Sequence, residues 1–275
     1  MTLVQSRDLR LGLERDWGYS RCMAITTSLT DELATAWLTG RARIRNYHLT
    51  TQGNIHAALR TPESNQAGED IWEYVVTNVS DDVLKAVAEE IMKHPTRQLI
   101  VAADLPKKTQ PAGSAAKYFA DKTGLRPIGV DELVMVTDMS QQDVEEPIVP
   151  EQFTAEVTRN DGWYLVAFRT TGAADVGPDK LAARGRVAVV DDTYAVFDQI
   201  WTAPDFRRQG LGSLTMRYLS SLALEDDVET GLLIAGLEGQ ALYRYLGWTA
   251  IGDVVVLGHP DVDPKDQWAT QTFQP

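Results

Sequence analysis

The feature that most restricts how this chain can fold is the junction Thr202-Ala203-Pro204-Asp205-Phe206-Arg207-Arg208-Gln209-Gly210-Leu211-Gly212-Ser213. It lies between the apolar run Tyr194–Trp201 and the periodic stretch Leu211–Leu224. A strand that ends at Pro204, a glycine-containing loop and a helix that starts at once leave the helix's first backbone N–H groups without intrahelical acceptors. Those groups point into the loop, where they suit an anion such as a pyrophosphate. Gly210 and Gly212 remove Cβ atoms where phosphates would approach the main chain, and Arg207 and Arg208 add positive charge at the rim.

Other phosphate loops do not fit. A dinucleotide fingerprint needs a third glycine where Thr215 stands, and the Gly-Lys-Ser/Thr of a P-loop is missing. What remains, Arg-x-x-Gly-x-Gly from Arg207 to Gly212, resembles the acetyl-CoA loop of the GCN5-related N-acetyltransferase (GNAT) superfamily. The following segments extend the resemblance. An acidic turn, Glu225-Asp226-Asp227, leads to a short apolar strand, Gly231–Gly236. Then Ala241-Leu242-Tyr243-Arg244-Tyr245-Leu246-Gly247-Trp248 is similar to the family's short helix closed by glycine, with Ile251–Leu257 as a final strand.

With 275 residues and 44% apolar content, the chain can bury one large core or two smaller ones. The proline-containing acidic stretch Ser140–Pro150 reads as a linker. Before it, strand-like Ile71–Val76, amphipathic Asp81–Lys93, strand-like Gln98–Ala102, the helix-glycine segment Ser114–Pro127 and strand-like Leu133–Val136 repeat the order of the second half. The resemblance thus implies an α/β (α+β) chain of two GNAT-like domains, each a mixed, mostly antiparallel central sheet flanked by helices. Residues 1–145 would be a degenerate copy lacking the pyrophosphate loop, because Asn78-Val79-Ser80-Asp81-Asp82 offers carboxylates and no glycine there. Residues 146–275 would bind acetyl-CoA. Strands are expected at Gly162–Thr170, Arg186–Val190 and Tyr194–Trp201, with a hairpin turn at Asp191-Asp192-Thr193. The stretch Glu151–Gly162 is too short for the helix pair that usually builds the family's substrate wall, so the first half is expected to supply it.

The resemblance implies an acetyl-CoA-dependent N-acetyltransferase: an amine attacks the thioester directly in a ternary complex, with no metal. Main-chain groups of Ile200, Trp201 and Thr202 would pair with the pantetheine arm. Amides from Arg208 through Gln209, Gly210, Leu211 and Gly212 to Ser213 would hold the pyrophosphate, with Arg207 and Arg208 nearby. Tyr243 takes the position of the family's thiolate-protonating tyrosine, a phenol being protonated at neutral pH. Tyr245 is a weaker candidate. Asp198, a carboxylate within an apolar strand, is a candidate general base; Glu238 is an alternative, and some relatives need none. The acceptor is expected to be a small-molecule primary amine. A protein N-terminus or lysine, or a non-catalytic acyl-CoA-binding module, are the other readings.

The formal charge of −13 argues against nucleic acid as a partner. No run approaches membrane-spanning length, and Met1–Asp8 lacks the apolar segment of a signal peptide. The lone Cys22 excludes a disulfide framework, so a cytoplasmic monomer or homodimer is expected. His48, His56, His94 and His259 show no metal-ligand spacing, and Arg41-Ala42-Arg43-Ile44-Arg45 reads as a half-exposed strand or helix face.

Overall fold

The computed structural model describes residues 28–53, 55–60, 71–78, 80–104, 113–143, 147–172 and 178–263. Met1–Asp8, Cys22, Val79 and part of the linker lie outside them. The first half runs α1 (Asp31–Arg45), β1 (His48–Gln52), β2 (Ile55–Arg60), β3 (Ile71–Thr77), α2 (Asp81–Lys93), β4 (Gln98–Asp104), α3 (Ser114–Thr123) and β5 (Arg126–Asp138). The second runs β6 (Phe153–Asn160), β7 (Trp163–Thr171), β8 (Pro178–Val190), β9 (Tyr194–Thr202), α4 (Leu211–Ala223), β10 (Thr230–Ala235), α5 (Gln240–Tyr245) and β11 (Thr249–Gly258). From β1 and from β7 onward the halves follow the same order, β-β-β-α-β-α-β.

All strands join one 11-stranded sheet, in the order β1-β2-β3-β4-β11-β5-β10-β9-β8-β7-β6. Only β3–β4 and β9–β10 pair in parallel. The centre of the sheet holds an exchange. The last strand of the second half, β11, pairs with β4 of the first, and the last strand of the first half, β5, pairs with β10 of the second. The two exchanged strands also pair with each other, with Leu133 opposite Asp253. A cut at residue 145 would therefore separate β5 from both of its neighbours.

Alternate residues along each strand face opposite sides. Val75, Ile100, Val134, Val196, Leu232 and Val254 join Leu33, Trp37 and Leu38 of α1 in one core. The opposite face carries one core under α4, with Met135, Phe197 and Leu233, and another under α2 and α3, with Leu99, Val101 and Val255.

Helix α1 packs on the face of the sheet opposite α4. It lies across β8 and β9, and Gly40 makes this approach possible, because a Cβ there would stand 2.4 Å from Val196 Cβ. Its ends are set locally. The Thr30 hydroxyl accepts from Leu33 N–H, Asp31 and Glu32 occupy the first turn, Arg43 and Arg45 the last, and Asn46 closes it at φ 56°.

Three sequence expectations change. Residues 153–160 form strand β6, a mostly exposed edge strand in which Phe153, Ala155 and Val157 alternate with polar residues. Strand β8 begins at Pro178, well before the expected Arg186, so part of the presumed connection is sheet. Arg41–Arg45 belongs to α1 and is largely buried. Arg41 pairs with the fully buried Glu73, which also accepts from Arg60; Arg43 donates to the Val189 carbonyl; and Arg45 pairs with Asp198. Burial of Arg41 and, in part, Arg45 is what hid the helix's inner face from hydropathy.

Candidate active site

Strand β9 is bent where the site begins. Arg184 pairs with Trp201 and Arg186 with Asp198, so Gln199 and Ile200 together stand opposite Gly185, and Gln199 takes φ 58°. This is a β-bulge, which re-aims the strand. Gly185 makes room for it: a Cβ there would meet Ile200 Cδ1 at 2.6 Å and Thr215 Cγ2 at 2.7 Å. The parallel ladder to β10 runs from Tyr194–Thr230 to Phe197–Leu233 and stops, although β9 continues to Thr202. Past Phe197 the two strands part, and the β9 main chain has no β10 partner along that edge.

The chain then makes a short 3-10 turn at Pro204–Phe206 and passes through Arg208 at φ 63° and Gly210 at φ 81° into α4. The first helical bond of α4 is Leu214 N–H to the Gly210 carbonyl. The N–H groups of Leu211, Gly212 and Ser213 therefore have no intrahelical acceptor, and the positive end of the helix dipole faces the loop. Gly212 sits against α5, where a Cβ would stand 3.0 Å from Leu242 Cδ2.

A pocket of about 700 Å³ opens between this loop, the free edge of β9 and α5. Of the ten cofactor candidates, all but Gln209 line it; Gln209 instead donates from Nε2 to the Asp205 carbonyl at 3.3 Å. Arg207 donates from Nε to the Thr202 carbonyl and reaches across to Glu238, Nη1 to Oε2 at 3.3 Å, joining two rims of the pocket. Glu238 is thus an exposed rim residue, and Tyr245, 83% exposed, is another.

Tyr243 lines the same pocket and is otherwise buried, packed on Trp248 and against Gly239, where a Cβ would meet its Cε2 at 2.8 Å. Burial, and then the negative charge of Asp198, push its phenol above the ordinary tyrosine range. It is therefore protonated at all ordinary pH values, as a donor to a thiolate must be.

Asp198 lies on the α1 face of the sheet, outside the pocket's lining. Its Oδ2 accepts from Arg45 Nε at 2.5 Å, and its Oδ1 accepts from Arg45 Nη2 at 2.8 Å and from Gln199 N–H at 2.8 Å. Burial alone would raise its pKa, but the Arg45 guanidinium outweighs burial and holds the carboxyl below its usual range. A carboxylate so engaged is a poor proton acceptor. The sequence could not reveal its partner, which lies 153 positions away.

Sequence reasoning also passed over Glu132, half-buried on β5. Burial lifts its pKa, opposed by Arg41 and Arg45. Among the described residues no group of His, Cys, Asp or Glu is arranged to hold a metal, and no helix is long and apolar enough to cross a membrane.

Residues 134–248 match the model of the acetyltransferase (GNAT) family. In structure, the chain resembles a GCN5-related N-acetyltransferase from Kribbella flavida (TM-score 0.58, 19% identity, 86% of this chain and 98% of that one). It also resembles a protein of unknown function from Staphylococcus epidermidis (TM-score 0.50, 11% identity, 79% and 96%). A tandem GNAT protein of the clavulanic acid biosynthesis pathway aligns more distantly (TM-score 0.49, 14% identity, 76% and 80%). No curated protein matches in sequence. Family model and fold agree with the loop and its free helix end: residues 134–248 match the GNAT family as a domain, and the chain as a whole has the GNAT fold.

Proposed function

We propose that the protein is an acetyl-CoA-dependent N-acetyltransferase acting on a primary amine of a small molecule, by direct transfer in a ternary complex. The observation that carries this reading is the continuity of one pocket, from the open amides of α4, along the unpaired edge of β9, to the Tyr243 side chain. The amides of Leu211, Gly212 and Ser213 take the pyrophosphate, with Arg207 and Arg208 at the rim. Main-chain groups of Ile200, Trp201 and Thr202 extend the sheet to the pantetheine amides. Tyr243 then protonates the departing thiolate.

The first half is a degenerate copy in this reading and holds no cofactor. Its β3–β4 ladder continues to Thr77–Ala102, at the end of β3, so no gap opens there. The Ser80 hydroxyl accepts from Val83 N–H, and Asp81 and Asp82 occupy the first turn of α2 where phosphates would have to come.

Calorimetric titration with acetyl-CoA, free CoA and a longer acyl-CoA tests the assignment. One equivalent of acetyl-CoA per chain is expected, followed by thiol release with a primary amine. Two equivalents would overturn the degenerate first half, and binding without thiol release from any amine would favour a non-catalytic acyl-CoA module.

A further inference from the structure

The β9–β10 ladder ends at Phe197–Leu233, and different groups stand near its end on the two faces of the sheet. Tyr243 and the pocket lie on one; Asp198 and α1 lie on the other. Two carboxylates flank the C-terminal end of β10 on the α1 face. Asp198 approaches from β9, just past the last rung Phe197–Leu233. Glu132 approaches from β5, just past the last rung Leu133–Ala235, and alternation with Val134 and Val136 puts it on the same face. The two differ in what their oxygens do. Those of Asp198 are taken by Arg45 and the Gln199 amide, whereas the Glu132 carboxylate has no hydrogen-bond or ion-pair partner among the described residues. An uncommitted, half-buried carboxylate beside the C-terminal end of β10 can meet a cation that comes to this face of the sheet.

We propose that Glu132, carried by the exchanged strand of the first half, binds the acceptor ammonium and removes its proton. This rests on the acetyl-transfer reading above. The ammonium gives one proton to the Glu132 carboxylate, and its freed lone pair forms the N–C bond to the thioester carbonyl. The C–S bond then breaks, and the thiolate takes the Tyr243 proton. The tyrosinate recovers that proton from the acylated nitrogen, and Glu132 returns its own to water. The catalytic centre is thus assembled from both halves of the chain.

The groups facing Glu132 set its behaviour. Arg41 and Arg45 from α1 favour the carboxylate, Arg45 being largely neutralised by Asp198 on β9, while β10 presents Leu232 and Ile234 on this face. The net upward shift caused by burial puts a base nearer to neutral pH, where it works best.

Two nucleophiles separate a base from a structural residue. Tryptamine, spermidine and ethanolamine are ammonium ions at neutral pH; hydroxylamine is already deprotonated and needs no base. In Glu132→Gln, kcat/KM for the best of the three alkylamines should fall about 100-fold. The acid limb of its pH–rate profile should move up to the alkylamine's own ionisation, while hydroxylamine turnover and acetyl-CoA affinity are largely kept. An equal fall with both nucleophiles, an unchanged rate or an acid limb left where it stands in the wild type would overturn the proposal. Should Glu132→Gln not bind acetyl-CoA, Glu132→Asp keeps the charge, and an acid limb left where it was would overturn the proposal equally. A wild-type protein that binds acetyl-CoA but acylates neither kind of nucleophile would instead sink the acetyl-transfer reading and this inference with it.

Discussion

The two halves build the same sequence of strands and helices and differ most at one junction. In the second, β9 bulges at Gln199, leaves β10 after Phe197 and enters α4 through Gly210 at φ 81°. In the first, β3 stays paired with β4 to its end and enters α2 through Ser80, whose side chain satisfies a helix N–H. One helix end is open to an anion; the other is capped and carries two carboxylates. A similar difference stands at the next helix. Counting back from the closing glycines Gly247 and Gly124, Tyr243 of the second half corresponds to Ala120 of the first. The scaffold alone therefore does not confer a phosphate site. In the proposed reading, a few residues at a strand-to-helix turn do.

The strongest way to break the contrast is to give the second half the first half's chemistry. Gly210→Asp sets a carboxylate at the phosphate mouth and a Cβ at a positive φ, so acetyl-CoA affinity measured by calorimetry should fall at least about 100-fold. Retained affinity would remove the loop from cofactor binding. Tyr243→Phe makes α5 resemble α3 in chemistry only; kcat should fall by about 100-fold with acetyl-CoA affinity nearly unchanged. Arg45→Ala leaves Asp198 buried without its partner and should cost about 3 kcal/mol in urea unfolding. That loss should shrink in acid, because the carboxyl that Arg45 keeps ionised becomes protonated as pH falls through its depressed pKa. The smallest effect is expected in the first half. Ser80→Ala should cost about 0.5–1 kcal/mol and leave acetyl-CoA stoichiometry unchanged, which a titration of the variant checks.

Local signals were readable in advance. The loop at Arg207–Gly212, the hairpin turn at Asp191–Thr193 and the helix closed by Gly247 each follow from short-range backbone demands, and each is where the residues indicated. Helix α1 was not legible, because its inner face carries Arg41 and Arg45, whose anionic partners Glu73 and Asp198 are distant in sequence. Edge strand β6 escaped because its alternation, Phe153, Ala155 and Val157, is short and gives way to the polar run Thr158–Asn160. The strand exchange left no trace, since β5 and β11 would show the same apolar pattern in their own half or in the other. For the same reason Glu132 could be found only after β5 was seen beside β10.

The exchange also decides what the smallest self-sufficient piece of this molecule is. Polypeptide ends at the acidic linker would yield two fragments, each deprived of the strand that closes its half and each displaying the unpaired edges of its own parallel pair. Such edges invite pairing with any strand that fits, including the same strand from a second copy. The linker therefore marks a place where the chain pauses, and not a seam along which the protein comes apart. Loss of either half removes the middle of the other, and melting should proceed as one event.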